Sequence, residues 1–133
     1  MLFSGRLQPW RPLLQWGAGL VVSGLLSTAA VEARESAGGL VALARLPAEA
    51  QAVHGQVLSG GPFDFRKDGI VFANRERRLP VHSRGFYREY TVAAPGSRQR
   101  GARRIVCGGA RATVPDACYY TADHYNSFYR ITP

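Results

Sequence analysis

Between residues 86 and 92 apolar and polar side chains alternate. Phe86, Arg88, Tyr90 and Val92 fall on one face of an extended segment, and Tyr87, Glu89 and Thr91 on the other, because successive side chains of a strand point to opposite sides. Further short runs rich in β-branched or aromatic residues, 70–72, 103–107 and 128–131, also read as strands. Turn-forming residues separate them: Asp68-Gly69, Ala94-Pro95-Gly96-Ser97 and Gly108-Gly109. Ahead of the strands the period changes. Leu46, Ala50, Val53 and Val57 share one face at helical spacing. Pro47 and Glu49 suit the first turn of that helix, and Ser59-Gly60-Gly61-Pro62 stops it. A helix this short, carrying Gly55, depends on packing against another layer. One helix followed by a run of strands predicts an α+β domain, the helix packed on a small twisted antiparallel sheet. Residues 46–133 form that domain, with 34–45 as a loose N-terminal arm of small and polar residues.

The first 33 residues follow a different pattern. A basic start with Arg6 and Arg11 leads into an apolar stretch over 13–26, and Ser27-Thr28-Ala29 and Val31-Glu32-Ala33 offer small-residue cleavage sites. This is the layout of a secretory signal peptide. An uncleaved anchor is the alternative, but the apolar stretch falls short of the roughly 20 residues that a spanning helix prefers and is rich in Gly and Ser. Cleavage after Ala33 leaves 100 residues, 34–133, enough for one domain with one core. The reading is therefore a secreted protein with no stable membrane association once the signal is removed.

Charge narrows the partners. The chain has 17 basic and 9 acidic residues, a formal net charge of +8 at pH 7. Without Arg6, Arg11 and Glu32 it keeps 15 and 8, close to +7. So basic a small domain attracts polyanions, nucleic acid or an anionic surface. Charge alone says nothing of catalysis, and a non-catalytic secreted cationic domain that binds nucleic acid is the competing reading. Cys107 and Cys118 lie in the exported part, where oxidising conditions favour a structural disulfide. No second Cys or His pair accompanies them in a recognised zinc pattern, so neither a metal nor a cofactor is expected.

The candidate chemistry lies late in the chain, in the order Glu89, Arg98, Arg100, Arg103, Arg104, His124. A carboxylate base, an imidazole acid and guanidinium anchors are what cleavage of an RNA phosphodiester requires. If Glu89 faces outward from a central strand, a neighbouring antiparallel strand brings Arg104 beside it. An outward carboxylate costs little, whereas one in the core costs several kcal/mol unless paired. Taken singly, Glu89 reads as a solvated strand residue, His124 as a surface histidine and the arginines as a solvated turn.

From Gly61 to Tyr129 the chain resembles the small secreted guanyl-specific ribonucleases of microbes, the barnase-like and streptomycete enzymes. The matching pieces are Gly61-Pro62-Phe63, Asp68-Gly69-Ile70-Val71-Phe72-Ala73-Asn74-Arg75-Glu76, Leu79-Pro80, Tyr87-Arg88-Glu89-Tyr90-Thr91-Val92, Pro95-Gly96, Arg100-Gly101-Ala102-Arg103-Arg104-Ile105 and Tyr119-Tyr120-Thr121-Ala122-Asp123-His124-Tyr125, in family order. The resemblance implies cleavage of single-stranded RNA on the 3′ side of guanosine by transesterification to a 2′,3′-cyclic phosphate, without a metal. It implies Glu89 as general base, His124 as general acid, Arg100 and Arg104 as phosphate holders and Tyr125 as a phosphate contact. Asn74, Arg75 and Glu76 match the guanine-recognition loop: Glu76 accepts from N1–H and N2–H, backbone N–H groups donate to O6, and Phe72 lies near the base. A monomer and an acidic barstar-like inhibitor are implied in the same way. Three features depart from the family pattern. Ala73 stands where relatives often carry a polar side chain, Arg77-Arg78 makes the loop unusually basic and able to neutralise Glu76, and 109–117 is long, so a Cys107–Cys118 bridge braces a hairpin.

Overall fold

The computed structural model describes residues 38–133; the signal-peptide reading lies outside them. Elements follow in the order β1 (Leu40–Ala42), a 3-10 turn (Leu43–Arg45), α1 (Ala48–Ser59), β2 (Ile70–Val71), β3 (Tyr87–Thr91), β4 (Arg104–Gly108), β5 (Ala117–Thr121) and β6 (Tyr129–Thr132). The strands form one sheet in the order β1-β6-β5-β4-β3-β2, with β1 parallel to β6 and every other pair antiparallel.

The helix begins and ends where the punctuation predicts. Pro47 stands at its N-cap and Glu49 in its first turn. At its C-terminus Gly60 adopts φ +82°, and its N–H reaches the carbonyls of Gln56 and Val57. A left-handed residue there satisfies carbonyls that the last turn would leave bare, and glycine adopts it at no steric cost. Leu46, Ala50 and Val57 are buried against Tyr90, Val92, Ile105, Cys107, Cys118 and Tyr120 of the sheet. Complete burial of a side chain the size of Val57 contributes about 1.5–3 kcal/mol, which is how a helix of 12 residues is held.

Three elements differ from the sequence expectation. The arm expected over 34–45 is tied down from Leu40 onward by the β1–β6 pairing. Ala117–Thr121 is a central strand, β5, although its residues show no apolar-polar alternation; both of its faces are covered, so Cys118, Tyr119, Tyr120 and Thr121 are all buried. A strand covered on two sides reads as an unbroken run instead of an alternating one. The sheet's second face carries its own core of Leu79, Tyr87, Val106, Tyr119 and Phe128, with Phe72, Phe86 and Tyr125 packed on it. Phe86 therefore joins the side opposite the one that its place in the alternation predicts.

The expected disulfide is present. Cys107 and Cys118 are register partners on β4 and β5 with Cα atoms 4.1 Å apart, so the bridge braces the base of the hairpin that spans the long 109–116 segment.

Candidate active site

The site sits on the second face of the sheet, over β3 and β4. Register fixes its floor: Glu89 is opposite Val106 and Thr91 opposite Arg104. Glu89 and Arg104 therefore occupy diagonal positions on one face, within reach of long side chains. The face is not open, however. Glu89 is 9% exposed, Thr91 2% and Arg104 2%, because the segments around Leu79 and around Tyr125–Phe128 roof it over. The expectation of an outward carboxylate is thus corrected: Glu89 is buried, and its burial is compensated by partners. Tyr125 Oη donates to Glu89 Oε2 at 2.8 Å, and Arg100 Nη2 donates to Oε1 at 3.4 Å. Arg100 is steadied in turn by Nε donating to Thr91 Oγ1 at 3.1 Å.

Arg104 is the most buried cation described. Its Nη1 donates to the carbonyls of Arg100, Gly101 and Arg103 at 3.2, 3.0 and 2.8 Å, which clamps the turn that carries Arg100. Its Cζ lies 5.9 Å from the centre of the Tyr125 ring. Its buried Nε has no hydrogen-bond partner among the described residues. An orphaned guanidinium donor beside a carboxylate and a phenol is the kind of group that an anion completes. Arg98 and Arg103 do not join this cluster: Arg98 borders a different concavity together with Glu49, and the Arg103 carbonyl serves as an acceptor for Val92 N–H and for Arg104.

His124 and Tyr125 both have left-handed backbones, φ +54° and +72°. For residues with a Cβ this costs on the order of 1–3 kcal/mol each and persists only where the surroundings enforce it. Here they do. Thr121 Oγ1 accepts from Tyr125 N–H and donates to Asp123 Oδ1; Asp123 Oδ1 accepts from Ser127 N–H; Asn126 Nδ2 donates to the Asp123 carbonyl. The His124 N–H is bound to the carbonyl of Ala102 at 3.0 Å, which joins this turn to the arginine loop. The turn presents the His124 ring at the surface, 4.8 Å from that of Tyr125. Burial first, then the hydrogen bond to Glu89 and its charge, push the Tyr125 phenol above its ordinary range, opposed by the Arg104 guanidinium. Tyr125 is thus a neutral donor at physiological pH.

Next to this cluster lies a cavity of about 320 Å³ lined by residues 72–76, Arg78, His124, Tyr125, Asn126 and Phe128. Phe72 stacks on Tyr125 with ring centres 5.1 Å apart, which gives the cavity an aromatic wall. Asn74 organises its rim. Held at φ +50°, it donates Nδ2 to the Leu79 and Pro80 carbonyls and accepts from Leu79 N–H, while its own carbonyl accepts from Arg77 N–H. Its side chain therefore shapes the loop from within. Ala73 and Arg75 line the same cavity. Glu76 is not buried: its side chain is 73% exposed and paired with Arg78 Nε at 2.9 Å. That pairing is the neutralisation that the basic Arg77-Arg78 departure implies. Thr121 and Asp123 are site components to which sequence reasoning gave no role, although both lie in the 119–125 segment that carries His124. Arg78 and Thr91 had signals, the first in the basic run after Glu76 and the second in the strand face that it shares with Glu89.

Comparison with known proteins agrees with this architecture. A ribonuclease family model matches residues 30–132. The chain is 51% identical over 90 residues to guanyl-specific ribonuclease Sa of Kitasatospora aureofaciens, covering 68% of this chain and 90% of that one. It is 50% identical over 93 residues to guanyl-specific ribonuclease Sa3 of the same organism, covering 70% of this chain; it spans 63% of that relative's own length. A solved structure of ribonuclease Sa2 with guanosine-2′-cyclophosphate superimposes with a TM-score of 0.64 at 40% identity, over 73% of this chain and 98% of that one.

Proposed function

The chain belongs to the guanyl-specific microbial ribonuclease family, and from that premise we propose that it is a secreted, metal-independent endoribonuclease that cuts single-stranded RNA on the 3′ side of guanosine. Glu89 takes the proton from the ribose 2′-hydroxyl. The 2′-oxygen attacks phosphorus, the bond to the 5′-oxygen breaks, and His124 protonates the departing oxygen. The product is a 2′,3′-cyclic phosphate. A base and an acid on opposite sides of one in-line displacement are worth roughly 10²–10⁴-fold. The nucleophile belongs to the substrate, so no metal hydroxide is required; DNA, which lacks the 2′-hydroxyl, is bound and left intact.

Arg100 and Arg104 carry the electrostatic part. Guanidinium groups fixed beforehand around the phosphate oxygens stabilise charge that grows in the transition state. The observation that carries this reading is the convergence of Glu89, Arg100, Tyr125 and the unpartnered Arg104 Nε beside a cavity of base size. The proposed choice of guanine rests on Glu76. On leaving Arg78 it accepts from N1–H and the 2-amino group, while loop N–H groups face O6 and the Phe72–Tyr125 wall lies along the ring. Adenine offers an acceptor at N1, and the carboxylate is then left facing a lone pair. Tyr125, as the donor already bound to Glu89, serves the phosphate from the same position.

A monomer suits a cleft built wholly from one chain, and an acidic barstar-like protein complements the same basic surface. Incubating the protein with GpC and with ApC in EDTA tests the proposal: GpC is cleaved and ApC is not. Failure to cut GpC rejects the enzyme, and equal cutting of both rejects the role of Glu76. Glu89→Gln separates the cationic-binder alternative, since an enzyme then loses at least about 100-fold in rate but still binds RNA.

A further inference from the structure

Behind the base-recognition loop lies a second concavity, of about 640 Å³, which shares residues 72–75 with the base cavity. Its other walls come from residues 81–85 and Tyr87, at the end of β3 remote from Thr91. Arg77, Arg84 and His82 border it together with Arg75, and no carboxylate is among its lining residues. It also has a ring to offer. His82 is exposed and stacks on Phe86 with centres 3.7 Å apart and planes within 12°, so a half-buried phenyl group backs an accessible flat surface. Val81 adds an apolar side chain that is 70% exposed. Cations ringing an aromatic platform are the combination that holds one nucleotide of a single strand, the phosphate by charge and the base by stacking.

We infer that this concavity is a subsite for the nucleotide immediately 5′ of the guanosine. The inference rests on the ribonuclease reading above, and polarity follows from it. The guanosine 3′-phosphate lies toward Glu89, Thr91 and Arg100, the far part of β3, so the chain beyond it leaves past His124. The concavity lies past the opposite end of the same strand, across the loop that carries the base. Arg84 and His82 lie outside the base cavity, the recognition loop and the Glu89 cluster, which gives them no part in cutting GpC.

Steady-state kcat/KM on GpC, UpGpC, ApGpC and GpCpU tests the assignment, with His82→Ala/Arg84→Gln and, separately, His82→Ala. UpGpC is expected to exceed GpC by about tenfold, the size of one base stack with one phosphate contact. The double variant brings UpGpC down to GpC, with GpC itself and any gain from GpCpU unchanged. His82→Ala lowers the gain without altering the charge of the arginines and abolishes any preference for ApGpC over UpGpC. The subsite is refuted if UpGpC is no better than GpC in the wild type, or if its gain survives the double variant. Loss of the GpCpU gain in place of the UpGpC gain overturns the 5′ polarity. Failure of the wild type to cut GpC is a separate result and rejects the ribonuclease reading itself.

Discussion

The Tyr125 hydroxyl donates a 2.8 Å hydrogen bond to Glu89 Oε2, across 36 positions of sequence. This bond ties the turn that holds His124 to the strand that holds the proposed base. It also separates two roles of one residue, since the ring of Tyr125 stacks on Phe72 while the oxygen serves Glu89. Tyr125→Phe keeps the stack and removes the donor. A hydrogen bond to a charged group is worth about 1.5–3 kcal/mol, so kcat for GpC should fall by roughly tenfold or more, with little change in KM. Tyr125→Ala should raise KM as well and lower the melting temperature. Steady-state kinetics with a thermal melt distinguish the two; a Phe variant with wild-type kcat removes the donor from the mechanism.

The Glu76–Arg78 ion pair competes with guanine for one carboxylate. Both side chains are largely solvated, 73% and 40% exposed, and such pairs contribute about 0–1 kcal/mol. Arg78→Ala releases Glu76 and should raise the GpC-to-ApC ratio of kcat/KM by up to about fivefold. The ratio, unlike the absolute rate, is insensitive to losing a cation near the phosphates. Glu76→Gln should collapse it. An unchanged ratio in Arg78→Ala means that the pair does not guard the base site.

Local signals carried much of this into the sequence. Pro47 and Gly60 bound the helix, and the 86–92 alternation puts Glu89 on the face away from it. What stayed hidden depends on partners distant in sequence. The β1 strand exists only through parallel pairing with β6, Leu40 opposite Arg130, and three residues carry no period of their own. Burial of Glu89 depends on how the loops around Leu79 and Tyr125 fold back over the sheet; alternation tells which face a side chain takes but not what covers that face. Glu76 could be located by its loop but not its pairing with Arg78, which rests on one rotamer choice among several neighbouring arginines.

The Cys107–Cys118 bridge lies on β4 and β5, with Arg104 at the other end of β4. It closes a loop of ten intervening residues, which the chain-entropy model values at about 3 kcal/mol. Reduction should lower the melting temperature by on the order of 10–20 °C for a domain of this size. Below the new transition GpC cleavage should persist, because the bridge ties β4 to β5, whereas Glu89 and Arg104 are placed by the pairing of β3 with β4, in which Cys107 takes part through its backbone. Activity that disappears on reduction while circular dichroism stays native makes the bridge part of the site.

Asp123 gives the His124 turn a dependence on pH. The Ser127 N–H, together with the hydroxyls of Ser127 and Thr121, holds its carboxyl below the ordinary value of 3.8. A carboxyl whose folded value is depressed binds fewer protons in the folded state than in the unfolded one. Its contribution to stability is therefore complete above about 3.8 and is lost as the pH falls through the lower folded value. Protonation takes the charge from the acceptor of Ser127 N–H and weakens that bond, and with it a restraint on two residues held at positive φ. Amide exchange at Tyr125 and Ser127 should quicken as the pH is taken below 3.8, relative to intrinsic rates, before the sheet amides follow. In Asp123→Asn this acid step should disappear, and those two amides should already exchange faster at neutral pH. Identical protection profiles for the two proteins at pH 7 and at pH 3 would mean that the turn is held by the Thr121 hydroxyl and the Ala102 carbonyl alone.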